Sequence, residues 1–579
     1  MTRRKIFALL SGLVIAVLSA ACSQEPEIVG DYDIIIRGGT IYDGIGTDPY
    51  VGDVAIDGER IAAVGDLLGK TGSVEIDATG KAVSPGFINM LSWATRSLIE
   101  DGRGMSDIKQ GVTLEIMGEG SSMGPLNERM KAEALERQGD IKFDIVWTTL
   151  NEYLEHLTTK GISPNVASYV GATTLRIHEV GYDDRRATPE ELARMQELVR
   201  DAMRDGALGV GSSLIYAPAS FADTDELMAL VSAAAEFGGA YISHLRSEGN
   251  RLEEAVLELI KIASVTGAPA EIYHLKAAGQ ANWHKLQSVF EMVESARAVG
   301  LRISANMYSY TAGATGLDAT MPTWVQAGGH DAWVERLKDP EIRARVVVEM
   351  RNPDVDWENF FVQAKPEGII LLGFRNPDLR SLIGKTLLEV AEERGTDPAE
   401  TVIDLVIEDD SRVDSAFFLM SEYNVRSQLG RPWVSFGSDA SAPTSEGVFL
   451  QSSVHPRAYG NFSRVLGKYV REERVLSLSE AIRRMTSLPA FNTGIRGRGQ
   501  LAEGYYADVL VFDPATVGEL ATFPEPHQYA TGMLHVFING EQVLANGEHT
   551  GALPGKVVRG PGWSGWPNNA ALPTMTDTN

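Results

Sequence analysis

The sequence predicts an α/β fold: a (β/α)8 barrel carrying a small β-sandwich built from both chain ends, with an insertion late in the barrel. Three observations predict it. Eight short apolar runs alternate with helical patterns through the middle of the chain, strand-rich text stands at both ends, and one interval is too long for a single helix. At 579 residues there is room for a barrel and a further unit.

The ends come first. From Asp31 to about Ala78 the text reads DYDIIIRGG, TIYDGIG and DVAIDGERIAAVG, with apolar and polar residues alternating between Gly and Asp-Gly turns. That pattern argues short antiparallel hairpins. It returns in ADVLVFDPATV and MLHVFINGEQVLANGEHTG. Chain termini commonly lie near each other. Residues 31–84 and 497–560 are therefore read as one composite sandwich, and 85–496 as the barrel.

The eight candidate barrel strands lie in VSPGFINMLSW, QGVTLEIMGEG, NVASYVGATTLR, ALGVGSSLIY, GAYISHLRSEG, PAEIYHLKAAG, RISANMYSYTAG and WVSFGSDASAP. Helices fall between them. Thr188-Pro189-Glu190-Glu191 before LARMQELVRDAMR is a capping box with Pro at the first helical position. LEEAVLELIKIAS and HKLQSVFEMVESARAV have amphipathic spacing. Between the seventh and eighth strands an insertion of about 316–430 contains strand-like FFVQAK and GIILLGF and a helical TLLEVAEERG. Long insertions often serve as lids; a merely decorative subdomain would look the same. The last stretch, RGPGWSGWPNNAALPTMTDTN, is rich in Gly, Pro and Asn and reads as irregular.

Hydrophobic content of 44% and charged content of 22% mark a globular chain. A net charge of -26 disfavours nucleic-acid binding through a basic face. Arg3, Arg4 and Lys5 followed by an apolar run from Ile6 to Leu18 have the layout of a signal peptide, residues 1–21. Cys22 is the single cysteine, so no intrachain disulfide can form. In LSAACS it resembles a bacterial lipoprotein cleavage site, although Ser19 stands where Leu is more usual. Ordinary secretion is the other reading. The expectation is an exported protein, periplasmic or held at a membrane only through a lipid on Cys22.

Catalytic groups in such barrels come from the C-terminal ends of the strands. Strand two ends in Glu119, strand five in His244, strand six in His274 and strand eight in Asp439. Two imidazoles and a carboxylate suffice for a catalytic zinc with an open position, and zinc lowers the pKa of its bound water toward ~7. Each residue alone has a plainer reading: a hydrogen-bonded strand-end histidine, a turn carboxylate, a helix N-cap. The joint pattern carries the argument.

From Asp31 to Gly551 the chain resembles the amidohydrolase superfamily, and within it the N-acyl-D-amino-acid deacylases (D-aminoacylases). The motifs are PGFIN, QGVTLEIMGEG, GALGVGSSLIYAP, SHLRSEGN, YHLKAAGQANW, PWVSFGSDASAP, HPRAYGNFSRVLG and MTSLPAFNTGIRGRGQLAEGYYADVLVFDP. The resemblance implies a barrel of the amidohydrolase type and roles for particular residues. With a one-residue gap, Glu119 takes the place of the Cys that often bridges metals in a Gly-x-Cys-Gly run. His244 and His274 match the remaining ligands of the tightly held metal, and Asp439 the acid/base that passes a proton from water to the leaving amine. Lys276, Tyr216, Tyr308 and Arg457 match substrate-positioning places, Arg457 through a forked grip on the amino-acid carboxylate. Lys276 could equally be an ion-pair partner, and the two tyrosines packing aromatics.

Four further positions depart from the family. Leu91 and Trp93 replace the His-x-His of the other metal position, Asn89 replaces the usual Asp, and Ala172 stands where His is common. The resemblance then implies one zinc per chain, with an apolar wall where a second ion would bind; Trp93 would contact substrate or fill the barrel. Other divalent ions suit the same ligands. The expected activity is removal of the acyl group from N-acyl, D-configured amino acids or related small amides, by zinc-bound hydroxide. The alternatives are a dipeptidase or cyclic-amide hydrolase using the same ligands, and a binding protein that kept the barrel and lost catalysis.

Overall fold

The computed structural model describes residues 30–566 and 571–572. The basic leader and Cys22 lie outside the described residues.

Five strands open the described chain: β1 (Tyr32–Ile41), β2 (Tyr50–Asp57), β3 (Arg60–Gly65), β4 (Gly72–Asp77) and β5 (Ala82–Pro85). Barrel strands follow: β6 (Phe87–Asn89), β7 (Val112–Met117), β8 (Asn165–Ser168), β9 (Val170–Gly171), β10 (Gly209–Ser213), β11 (Ala240–His244), β12 (Ala270–Ile272) and β13 (Ile303–Met307). Then come β14 (Ala312–Gly316), β15 (Ile369–Gly373), β16 (Asp414–Phe418) and β17 (Val434–Phe436). The last are β18 (Val509–Phe512), β19 (Met533–Ile538), β20 (Glu541–Ala545) and β21 (Glu548–His549).

The barrel is parallel throughout. β6, β7 and β8 pair in order, Tyr169 alone separates β8 from β9, and β9 to β13 and then β17 continue in register. Closure runs from β17 back to β6 through Met90 N–H donating to Phe436 O at 3.2 Å, and the Ser92 and Ala440 backbones then pair in parallel. Ile88, Met90, Leu91, Leu114, Ile116 and Tyr273 belong to one buried cluster, so the interior is packed and chemistry is confined to the rim. Helices Pro189–Arg204, Leu252–Thr266 and Lys285–Ala298 lie between strands, and Thr188 and Glu191 form both bonds of the capping box.

Strands from both ends share one sheet. β18 sits between β5 and β19, β5 pairs with β1 in parallel, and β1 pairs with β2. Ile36, Val54 and Ile56 from the front pack with Val509, Val511 and Phe537 from the back. Arg498 reaches the Asp508 carboxylate in the same layer.

Between β13 and β17 a three-stranded antiparallel sheet, β14-β16-β15, is wrapped by helices. FFVQAK is here a helix, Phe360–Ala364, against the strand reading. The Asn359 side chain accepts from Val362 N–H, and burial of Phe360, Phe361 and Ala364 has helical spacing. The seventh candidate run also divides: β13 ends at Met307, and Ala312-Gly313 begin β14.

Candidate metal centre and substrate cavity

Every residue singled out at a strand end lies at the C-terminal rim. His244 closes β11, Glu119 follows β7, His274 follows β12, Tyr308 follows β13 and Asp439 follows β17. They line one cavity of about 490 Å³ together with Lys276, Tyr216 and Arg457.

Glu119 stands between two glycines for a steric reason. Gly118 has φ +108° and a Cβ there would lie 2.3 Å from Tyr169 O; Gly120 has φ +65° and a Cβ 2.5 Å from Ser213 Cβ. The turn drives the carboxylate into the rim. His274 and Asp439 are themselves in the left-handed region, at φ 33° and 50°, which side-chain-bearing residues rarely adopt. The surroundings hold both: His274 N–H donates to Asn306 Oδ1 at 2.8 Å, and Asp439 N–H to Leu91 O at 2.8 Å. Such strain is found where a side chain must be aimed.

Two imidazoles converge on one carboxylate oxygen. Glu119 Oε1 is 3.1 Å from His244 Nδ1 and 2.9 Å from His274 Nε2, all three side chains being buried. Burial would raise the Glu119 pKa, yet cationic His274 and the bonds from both rings hold it far below the ordinary carboxylate range. Burial and Lys276 push His274 down, but Glu248 and Glu119 together carry it up to about 9. One ligand atom from each of Glu119, His244 and His274 lies within 4.8 Å of the others, and buried His244 Nε2 makes no hydrogen bond among the described residues. This donor set fits a divalent ion.

Asp439 lies across the cavity. Its Oδ2 is 2.9 Å from Arg457 Nη1, and burial raises its pKa while Arg457 and His274 pull the other way. Arg457 is buried, stacked 4.5 Å from the Tyr308 ring centroid, and its Nε has no hydrogen-bond acceptor among the described residues. Burial also pushes the Tyr216 and Tyr308 hydroxyls well up, so both remain protonated donors. Lys276 is indeed an ion-pair partner, 2.6 Å from Glu248 Oε1, while lining the cavity.

The rim holds residues that the sequence did not single out in these roles. Glu248, in SHLRSEGN, is buried 3.0 Å from His274 Nδ1 and 3.6 Å from His244 Nε2. Its one signal was an acid four places beyond a candidate ligand. Trp93 is not barrel filler, and the wall expected at the second-ion place is not wholly apolar: the residue is 39% exposed, and its indole N–H points at Glu119 Oε2, 3.1 Å away, and Asp439 Oδ1, 3.2 Å away. Asn89 lies beneath, donating to Glu115 Oε2 at 2.9 Å and Ser438 Oγ at 2.8 Å; an Asp there would face Glu115 with no donor. Ala172 begins the helix Ala172–Glu179.

A closed parallel barrel with a two-histidine, one-carboxylate cluster at its C-terminal rim defines a metal-binding barrel protein of hydrolase type. The chain belongs to the amidohydrolase family, whose sequence profile matches residues 74–544. It is 32% identical to a D-aminoacylase of Alcaligenes xylosoxydans xylosoxydans over 531 residues, covering 91% of this chain and 97% of that one. A crystal structure of D-aminoacylase superposes with a TM-score of 0.76 at 32% identity, covering 91% of this chain and 100% of the other. An N-acyl-D-glutamate deacylase of Bordetella bronchiseptica, complexed with zinc and a phosphonate mimic of the tetrahedral intermediate, superposes with a TM-score of 0.74 at 29% identity, covering 91% and 99%.

Proposed function

We propose that this protein hydrolyses the amide of N-acyl amino acids, with preference for the D configuration, using one zinc ion per chain. The observation that carries the reading is the placement of Glu119, His244 and His274 in one cavity with Asp439 and a buried Arg457 whose Nε lacks an acceptor among the described residues. That open donor, on a guanidinium that lines the cavity, suits the carboxylate of an amino acid. The similarity to deacylases of N-acyl-D-amino acids supports the stereochemistry.

A divalent ion held by Glu119, His244 and His274 would supply Lewis acidity to the scissile carbonyl and to water. Arg457 grips the substrate carboxylate and the Tyr308 ring shapes the floor beneath it. Asp439, raised by burial, takes a proton from water and delivers it to the departing amine nitrogen. Lys276 and Glu248 keep His274 oriented. Leu372, Phe360 and Leu419 of the insertion line the cavity and would pack against the acyl chain. The leader, Arg3 to Cys22, supports export and lipidation, which mass spectrometry of the mature N-terminus would decide.

The test is a panel of N-acyl D- and L-amino acids, dipeptides and cyclic amides, beside metal analysis of wild type and His274→Ala. About one zinc in the wild type, lost in the variant, with release of free D-amino acid, is the expected result. Failure to bind zinc on titration, or hydrolysis confined to dipeptides or cyclic amides, would overturn it.

A further inference from the structure

Glu119 uses its two oxygens differently. Oε1 faces the two imidazoles; Oε2 is 3.1 Å from Trp93 Nε1. The same indole nitrogen is 3.2 Å from Asp439 Oδ1. Two carboxylates therefore converge on one N–H, in a site where they would otherwise repel. In a two-metal centre a second cation does that work. Here the place is taken by a group that donates, carries no formal charge and offers no acceptor to a metal. Leu91, two residues earlier, is fully buried and also offers no ligand.

The backbone makes the arrangement specific. Asp439 N–H donates to Leu91 O at 2.8 Å, and Trp93 N–H donates to Ala440 O at 2.9 Å. These two bonds join the segment bearing Trp93 to the segment bearing Asp439, and each uses the backbone N–H of one member of the indole–carboxylate pair. Packing needs do not explain the ring, because it is substantially exposed and lines both the catalytic cavity and the outer cavity of about 1110 Å³.

We propose that Trp93 is a positioning residue that stands in for a second metal: its indole N–H aims the Asp439 carboxylate and occupies Glu119 Oε2, so that the centre operates with a single ion. The proposal rests on the hydrolase reading above. Asp439 has its Oδ2 beside Arg457 and its Oδ1 on the indole, so both oxygens are fixed before substrate arrives. Fixing a proton carrier in this way is worth about two orders of magnitude in rate when lost.

The experiment uses the zinc-loaded full chain with Trp93→Phe, which keeps a ring and removes the donor, and Trp93→Gln, which removes the ring and restores an N–H. Zinc per chain is measured by equilibrium dialysis up to about tenfold excess, and kcat and KM on an N-acyl amino acid. The expected result is one zinc in all three proteins, kcat down about 10- to 100-fold in Trp93→Phe with KM within about threefold, and a higher kcat for Trp93→Gln than for Trp93→Phe. Unchanged kcat in Trp93→Phe, Phe retaining more activity than Gln, two zincs in the wild type, or loss of zinc from Trp93→Phe would each overturn the proposal. A wild type that binds no zinc or cleaves no amide would instead remove the hydrolase reading, which keeps the two failures apart.

Discussion

Glu248 accepts a hydrogen bond from Lys276 at 2.6 Å, with both side chains buried. The same carboxylate is 3.0 Å from His274 Nδ1. It is thus the partner that orients a candidate ligand and the counter-charge that allows a lysine inside the site. Glu248→Ala is expected to weaken zinc binding about 10- to 100-fold, measured by competition with a chelator. It should also destabilise the metal-free fold by about 3–5 kcal/mol, because Lys276 loses its partner in a buried place. Zinc affinity equal to wild type would show that the imidazoles need no such support.

Arg457→Lys keeps a positive charge beside Asp439 and gives up the planar fork. The expected outcome is a KM raised about tenfold or more for the N-acyl amino acid, with kcat changed less, since a hydrogen bond to a charged group is worth about 1.5–3 kcal/mol. Steady-state kinetics on one acyl amino acid and on its amide, which lacks the carboxylate, checks it. If the variant lowers activity equally on both, the arginine serves something other than the carboxylate.

Gly118→Ala places a Cβ 2.3 Å from Tyr169 O at φ +108°. The turn that presents Glu119 must shift. We expect a loss of about 2 kcal/mol or more in stability and loss of tight zinc binding, read by thermal melting and metal analysis. Retention of one zinc at wild-type affinity would mean the turn can relax without moving the carboxylate.

Beneath the rim, Asp107 and Glu115 are buried neighbours, and burial followed by Glu115 pushes the Asp107 pKa well above its ordinary 3.8. The folded state then holds this proton more tightly than the unfolded chain. Its contribution to stability is complete below about pH 4 and is lost as pH rises through the raised value. Asp107→Asn removes that dependence, so the variant should gain stability relative to wild type between pH 5 and pH 8. Melting curves at both values test this; parallel shifts would show that the pair does not titrate in the fold.

Much of the barrel was readable because strand ends in this architecture announce themselves: an apolar run stops and a polar residue follows, as at His244, His274 and Asp439. Glu119 was readable through its glycines, which only a tight turn needs. What the sequence hid was of two kinds. Glu248 and Asp107 are acids in otherwise ordinary loop and helix text, and their burial depends on which strands become neighbours. Trp93 was hidden for another reason: an aromatic after an apolar run reads as packing, and only the backbone pairing with Ala440 turns its N–H toward the carboxylates. FFVQAK was misread because a short apolar run fits strand and helix equally until the capping Asn359 is noticed.

The sheet that contains both β5 and β18 has a consequence for the order of assembly. β5 gains its second edge partner only when Val509–Phe512 has been made, more than four hundred residues later. The N-terminal hairpins must therefore wait with an open edge through synthesis of the whole barrel, and the last strands act as a clasp. A clasp of this kind also joins the molecule into a ring in space. New termini cut into an outer loop of the barrel, with the old ends linked, should leave the fold closed by the same strands.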